Sequence, residues 1–317
     1  MKRVIIICDG MADTPVSVLG DKTPLESAAT PSMDYLASHG RCGSLQTIPE
    51  NSYPGSETAI LTILGYNPEE LPAGRGPLEA TGLGVMCDSC IAMRYQLLNG
   101  TRDMAAIKTG FQDARFYPLT DTSGLCLVTD DSVCPRDTDS IRFWSADKPR
   151  GYVPFRERHP GVAAAIVGAT PLLAGIARAI GADWIKPEGA TGDCNTDYEA
   201  KARAAMTALD SHDIVIIHVE ACDYASHHND ITAKVNAIEK TDSLIVRPFL
   251  NNILEGDSNL AIAVMSDHPS LCEKGCHTSD PVPFLLYYAG IGSDRVTRFS
   301  ENDVKDGDLS NISEIYG

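Results

Sequence analysis

The 317-residue chain is short of positive charge, of a long apolar run at its amino end and of the doubled cysteine spacing that builds a zinc ribbon. Each shortage removes a class of function. Only 26 Lys and Arg stand against 43 Asp and Glu, a formal net charge of -17 at pH 7. That field repels a phosphate backbone, so nucleic acid is not expected as a partner, and a small anionic substrate needs a local basic pocket. Val4-Ile5-Ile6-Ile7 gives four strongly apolar residues before Cys8 and Asp9. This is too short for a signal-peptide core or a membrane span, and a cytoplasmic protein without a membrane partner is expected. The ten cysteines (Cys8, Cys42, Cys87, Cys90, Cys126, Cys134, Cys194, Cys222, Cys272 and Cys276) are expected to be mostly reduced thiols in a chain of this size. Cys87-Asp-Ser-Cys90 has redox or zinc spacing but neither a second pair nor a thioredoxin-like βαβ context, and no role is assigned to it. No internal repeat or low-complexity tract interrupts the chain.

What is present is a core-forming composition, 43% hydrophobic, arranged as short apolar runs separated by helical segments. That alternation predicts an α/β protein with a mostly parallel sheet between helices. The strands are expected at Val4 to Ile7, Ala164 to Val167, Ile214 to Val219, Leu260 to Met265 and Phe284 to Tyr288. Helices are expected at Pro171 to Ile180, Tyr198 to Leu209 and Ile231 to Leu250. From about Gly84 to Phe155 the pattern turns to short mixed segments rich in Asp, Thr and Ser. Residues 84–154 therefore read as an inserted subdomain in a discontinuous core of residues 1–83 and 155–317.

The chemistry-bearing residues gather behind the predicted strands, where ligands of open α/β sheets bind. Asp9 follows the first strand and precedes Gly10, which can turn the backbone sharply. His218 to Asp230 packs seven candidate ligands into thirteen positions, and Asp223 and His227 stand four apart, on one face of a helical turn. Asp267-His268 follows another strand, with His277 nine residues on. Mixed carboxylate and imidazole sets suit Mn²⁺ or Zn²⁺ better than an all-oxygen Ca²⁺ cage. His218 reads as a satisfied core histidine and His228 as a solvent-exposed one. Ser56, in Pro54-Gly55-Ser56-Glu57-Thr58-Ala59, opens an apolar helix; local sequence favours an N-cap, while a neighbouring metal would make it a nucleophile.

Taken together, Cys8-Asp9-Gly10-Met11-Ala12-Asp13, Lys22-Thr23-Pro24-Leu25-Glu26, Pro54 to Ala59, Gly74-Arg75-Gly76-Pro77, Gly189-Ala190-Thr191-Gly192 and the two histidine loops resemble the archaeal-type branch of the cofactor-independent phosphoglycerate mutases, in the alkaline phosphatase superfamily. The resemblance spans most of the chain. It implies an alkaline-phosphatase-like core and two divalent metal ions, Mn²⁺ first, with Zn²⁺ or Mg²⁺ as alternatives. One ion would be held by Asp9, Ser56, Asp267 and His268, the other by Asp223, His227 and His277. The implied activity interconverts 3-phosphoglycerate and 2-phosphoglycerate through a phosphoserine at Ser56. Arg75 and Lys201 are the implied catalytic cations, and because a chain at -17 must concentrate positive charge locally, Arg94 and Arg136 join Arg75 as candidates to bind the small phosphorylated substrate.

The chain departs from that branch in being shorter, with the shortfall inside the insert between about Thr138 and Arg142. Glu57 stands where the family usually has Asp, Tyr224 where an acidic residue is common and Ser226 where Gly is usual. None is an implied metal ligand. The trimmed insert keeps open a phosphotransferase acting on a small alcohol, as in homoserine-kinase-like relatives, or a phosphomonoesterase on the same metal core.

Overall fold

The computed structural model describes residues 1–72, 74–100, 111, 113–129 and 135–316. Cys134 lies outside them. The strands are β1 (Lys2–Cys8), β2 (Arg41–Leu45), β3 (Ile91–Leu97), β4 (Arg115–Pro118), β5 (Ser123–Val128), β6 (Ile141–Asp147), β7 (Ala164–Val167), β8 (Asp183–Ile185), β9 (Ile214–Val219), β10 (Leu260–Met265), β11 (Ser270–Leu271), β12 (Cys276–His277) and β13 (Val282–Tyr288). The helices are α1 (Pro24–Ser27), α2 (Pro31–His39), α3 (Ser56–Ile63), α4 (Gly76–Leu83), α5 (Phe155–Arg158), α6 (Pro171–Ile180), α7 (Tyr198–Ala208), α8 (Ala221–His227), α9 (Ile231–Thr241) and α10 (Arg247–Leu254).

β1 is a run of β-branched residues because both of its faces are covered, which is the condition that yields continuous apolar strands. Val4, Ile6 and Cys8 enter one core with α2, α7 and the α9 to α10 region, while Ile5 and Ile7 enter the other with α3 and α6. The sheet runs β2-β13-β10-β1-β9-β7-β8. Its ladders are parallel from β10 through β8, and β13 alone is antiparallel to both of its neighbours. All five expected strands are present. In register, Ile7 lies beside Met265 on one side and His218 on the other, so the chain leaves three adjacent strands, β10, β1 and β9, at one edge.

The helix expected from Ile231 to Leu250 is divided. A π-helical turn, Asp242–Val246, separates α9 from α10. Asp242 is wholly buried and accepts hydrogen bonds from the Ser32 and Met33 amides at the start of α2, at 3.2 and 2.7 Å. The irregular turn thus coincides with a tertiary cap that helical periodicity cannot reveal.

A second, antiparallel sheet of order β4-β5-β3-β6 lies within residues 91–147. One of its faces packs Ala92, Leu125 and Leu127 against Ala80 of α4. On its other side α4 meets α6 almost backbone to backbone: a Cβ at Gly175 would stand 1.7 Å from the Leu78 carbonyl oxygen, and one at Gly82 only 1.9 Å from that of Pro171. Glycine is required there, and α4 is fixed between the two sheets. Gly175→Ala is expected to cost roughly 1–3 kcal/mol through overpacking, read as a lower urea midpoint with an unchanged m-value. An unchanged midpoint would show that α4 can shift freely.

Candidate metal centre

Each ligand segment is aimed by its backbone. Gly10 adopts φ 66°, and its amide donates to Asp267 Oδ1 at 3.0 Å, as does the His268 amide at 2.8 Å. With Oδ1 satisfied, Asp267 Oδ2 is left without a hydrogen-bond partner, and so is Asp9 Oδ1. Both side chains are buried. Unpaired carboxylate oxygens in such a place are costly unless a cation meets them.

Two histidines turn their Nε2 atoms toward the cluster. His227 Nδ1 faces the Gly275 carbonyl and His277 Nδ1 the Pro54 carbonyl, each at 3.0 Å. A carbonyl only accepts, so both Nδ1 atoms carry hydrogen and both Nε2 atoms present lone pairs. Those Nε2 atoms lie 2.9 Å apart, and His277 Nε2 is 2.9 Å from Asp223 Oδ1, so a proton or a metal ion is needed between them. Asp223 and His227 share a face of α8, with Oδ2 and Nε2 3.5 Å apart. The three residues expected from the sequence to form the second ligand set thus lie together, with ligand atoms within 4.8 Å of one another.

His268 Nε2 stands 3.3 Å from Ser56 Oγ, 3.5 Å from Asp9 Oδ1 and 3.4 Å from Asp267 Oδ2. Donor atoms sharing an ion at about 2.0–2.2 Å are separated by about 3–4 Å, which these distances match. Ligand atoms of Asp9, Asp223 and His268 also lie within 4.8 Å of one another, so the two sets adjoin. Ser56 is the first residue of α3; its N-cap is Gly55, and its side chain makes no capping hydrogen bond. The N-cap reading of Ser56 does not hold, and the hydroxyl is left for the site.

The electrostatics follow the same division. Burial, with the charges of Asp267, Asp223 and Glu220, pushes the Asp9 carboxyl well above its ordinary range. Burial acts the same way on Asp223, but His277, His268 and His227 hold it low, and Asp267 is likewise held low against burial by His268 and His218. Burial brings the His268 imidazole down to about 4 despite Asp267, so it stays neutral.

His218, read from sequence as a satisfied core histidine, is buried but not satisfied. Neither ring nitrogen has a hydrogen-bond partner, and Nε2 stands 3.8 Å from Asp9 Oδ2 and 3.7 Å from Asp267 Oδ2. Burial opposes its protonation, yet Asp267 and Glu220 overcome that and raise it to about 9. The available signal was its place in β9, next to the strand that ends in Asp9.

Among the expected cations, Arg75 lines a pocket of about 180 Å³ together with Asp9, Ser56, His218, Asp223 and His227. Its Nε donates to Glu79 at 3.1 Å, and Arg94 from β3 donates to the same carboxylate at 3.0 Å. Lys201 is wholly buried, donating to Glu220 at 2.6 Å and to the His218 carbonyl at 2.9 Å. Arg136 is exposed on the segment before β6. A larger pocket, about 350 Å³, opens at the opposite end of the sheet around Lys2, Leu209 and Asn259. The candidate donor sets lie at the strand carboxyl ends, not there. Seven described cysteines are free thiols and Cys87 is bonded to Cys90.

Three imidazoles and three aspartates gathered around a buried serine suit divalent cations held against a hydroxyl, and this defines a metal-dependent enzyme. The profile of the Metalloenzyme superfamily matches residues 1–315. The chain is 33% identical to the 2,3-bisphosphoglycerate-independent phosphoglycerate mutase of Methanosarcina barkeri, over 100% of its own length and 98% of the relative's. A Pyrococcus horikoshii structure matches with TM-score 0.82 at 29% identity, covering 99% of this chain and 95% of that one. The cofactor-independent phosphoglycerate mutase of Thermoplasma acidophilum shares the fold, with TM-score 0.70 at 22% identity over 100% and 98% of the two chains. The chain belongs to the family of 2,3-bisphosphoglycerate-independent phosphoglycerate mutases within that superfamily. The alignment to the Methanosarcina relative runs over 393 positions against 317 residues here, so the relative carries residues that this chain lacks.

Replacing Asp223 by Ala should remove about one of about two bound ions per chain, measured by elemental analysis after dialysis. Undiminished metal content would exclude Asp223 as a ligand.

Proposed function

We propose that the chain interconverts 3-phosphoglycerate and 2-phosphoglycerate through a phosphoserine at Ser56. The observation that carries this reading is the convergence of the Ser56 hydroxyl, the His268 lone pair and two unpaired carboxylates at the start of α3. Two divalent cations, Mn²⁺ before Zn²⁺ or Mg²⁺, would be held by Asp9, Ser56, Asp267 and His268 and by Asp223, His227 and His277. Bound there, they would lower the serine pKa and neutralise phosphoryl charge.

In the first half-reaction Ser56 Oγ forms a bond to phosphorus as the bond to the substrate oxygen breaks, and the proton given up by the serine ends on that departing oxygen as a glycerate hydroxyl. The glycerate then presents its other hydroxyl, and Ser56 returns the group. The α3 amides and Arg75 would meet the phosphoryl oxygens as charge shifts among them. Arg94 and Arg136 are proposed to hold the glycerate carboxylate, with residues 84–154 as the substrate-binding cap on the 1–83 and 155–317 core. Lys201 is proposed to act on catalysis through Glu220 and His218, since its ammonium is already engaged with them.

No helix among the described residues is long and apolar enough to cross a membrane. A small metabolite as substrate supports a cytoplasmic setting, as do seven free thiols against the single Cys87–Cys90 bridge among the described cysteines.

The test is purified protein with Mn²⁺ and 3-phosphoglycerate, following 2-phosphoglycerate and inorganic phosphate in one tube. Isomer without phosphate is expected. Phosphate alone would replace the mutase by a phosphomonoesterase, and neither product would direct the search to alcohol acceptors. Ser56→Ala should lower kcat by at least about 10³-fold, and intact turnover would remove Ser56 as nucleophile. Arg75→Ala should lower kcat/KM by roughly 10²-fold through loss of phosphoryl stabilisation.

A further inference from the structure

We infer that Ser270 is a positioning residue shared by both metal positions, one hydroxyl that orients Asp223 in one ligand set and fixes the tautomer of His268 in the other. The inference rests on the metal-centre reading and is independent of the substrate.

Ser270 is wholly buried at the start of β11, where its register partner is His277. Its Oγ donates to Asp223 Oδ1 at 2.6 Å and lies 3.3 Å from His268 Nδ1. A hydroxyl has one hydrogen, and an ionised carboxylate can only accept it. The Ser270 lone pair therefore accepts from His268 Nδ1–H, which leaves the Nε2 lone pair facing Ser56 and the two aspartates. His227 and His277 have their Nδ1 atoms held by backbone carbonyls; for His268 the hydroxyl does that work.

The backbone that carries the hydroxyl is itself held at its amide and at its carbonyl. The Ser270 amide donates to the Ala12 carbonyl at 3.0 Å. Lys234, with no exposed surface, donates to the Ser270 carbonyl at 2.6 Å and to Asp13 Oδ2 at 2.8 Å. The same Asp13 oxygen accepts from the Cys272 amide at 3.0 Å. This buried ion pair clamps the loop after Asp9 to the loop after His268. Gly10 completes the arrangement, because a Cβ there would stand 2.5 Å from Ser270 Oγ.

The experiment compares wild type, Ser270→Ala and Ser270→Thr by calorimetric titration with Mn²⁺, by the visible d–d spectrum of the Co²⁺-loaded protein, and by the melting temperature of the metal-free chain. Ser270→Ala should weaken metal binding by about 10–100-fold and alter the Co²⁺ bands without lowering the metal-free melting temperature, and Ser270→Thr should recover most of the affinity. Unchanged affinity and bands in Ser270→Ala would overturn the inference, as would equal losses in the Ala and Thr variants. Should either variant fail to fold, ¹⁵N histidine shifts of the metal-free wild type decide: Nδ1–H at His268 supports the inference and Nε2–H refutes it. A wild type that binds neither ion would overturn the metal-centre reading along with the inference.

Discussion

The structure depends on keeping a cluster of carboxylates buried at one sheet edge. Taking such groups out of water is tolerable only when each meets a counter-charge or a set of donors. Around this edge the chain supplies some partners itself: Lys201 for Glu220, Lys234 for Asp13, and Arg75 with Arg94 for Glu79. Asp9 and Asp267 receive no lysine or arginine among the described ion pairs, only histidine neighbours at 3.4 to 3.8 Å that leave Asp9 Oδ1 and Asp267 Oδ2 without a hydrogen bond. The unmatched charge lies where three imidazole lone pairs and a serine hydroxyl converge. A net charge of -17 thus reflects local allocation as well as a surface property.

That allocation explains which residues were readable in advance. β1, β7, β9, β10 and β13 are covered on both faces, so their sequences are nearly pure apolar runs, and the ligands sit at their ends because a sheet edge is the first place a polar side chain can emerge. Asp223 with His227, and Asp267 with His268, could be read as pairs because each lies within one turn or one dipeptide. The partner of a long basic side chain is not local. Lys201 meets Glu220 from another element, and Lys234, in the first turn of α9, is wholly buried against Asp13.

The sequence misleads on His218 and is silent on Ser270 for a related reason. Their character comes from β1 and from Gly10, which lie more than two hundred residues earlier in the chain. Histidine inside an apolar strand reads as core until the neighbouring strand is known to end in a carboxylate. Similarly, the small sheet of residues 91–147 has mixed burial along β4 and β6, and the separate two-residue strands β11 and β12 are too short to carry any periodic signal.

The division of labour between the two sheets bears on how a shortened chain can remain a phosphoryl-transfer enzyme. Every proposed metal ligand and the nucleophile come from residues 1–83 and 155–317, while Arg94 and Arg136 come from between them. The link is α4, wedged by glycines against α6 and packed through Ala80 on the small sheet, with Glu79 tying Arg75 to Arg94. On the proposed reading of residues 84–154 as the cap, a shorter cap would alter the surface that meets the organic part of a phosphate ester. The charges that would meet its phosphorus would remain fixed, because they are set by strand ends and helix contacts outside the insert.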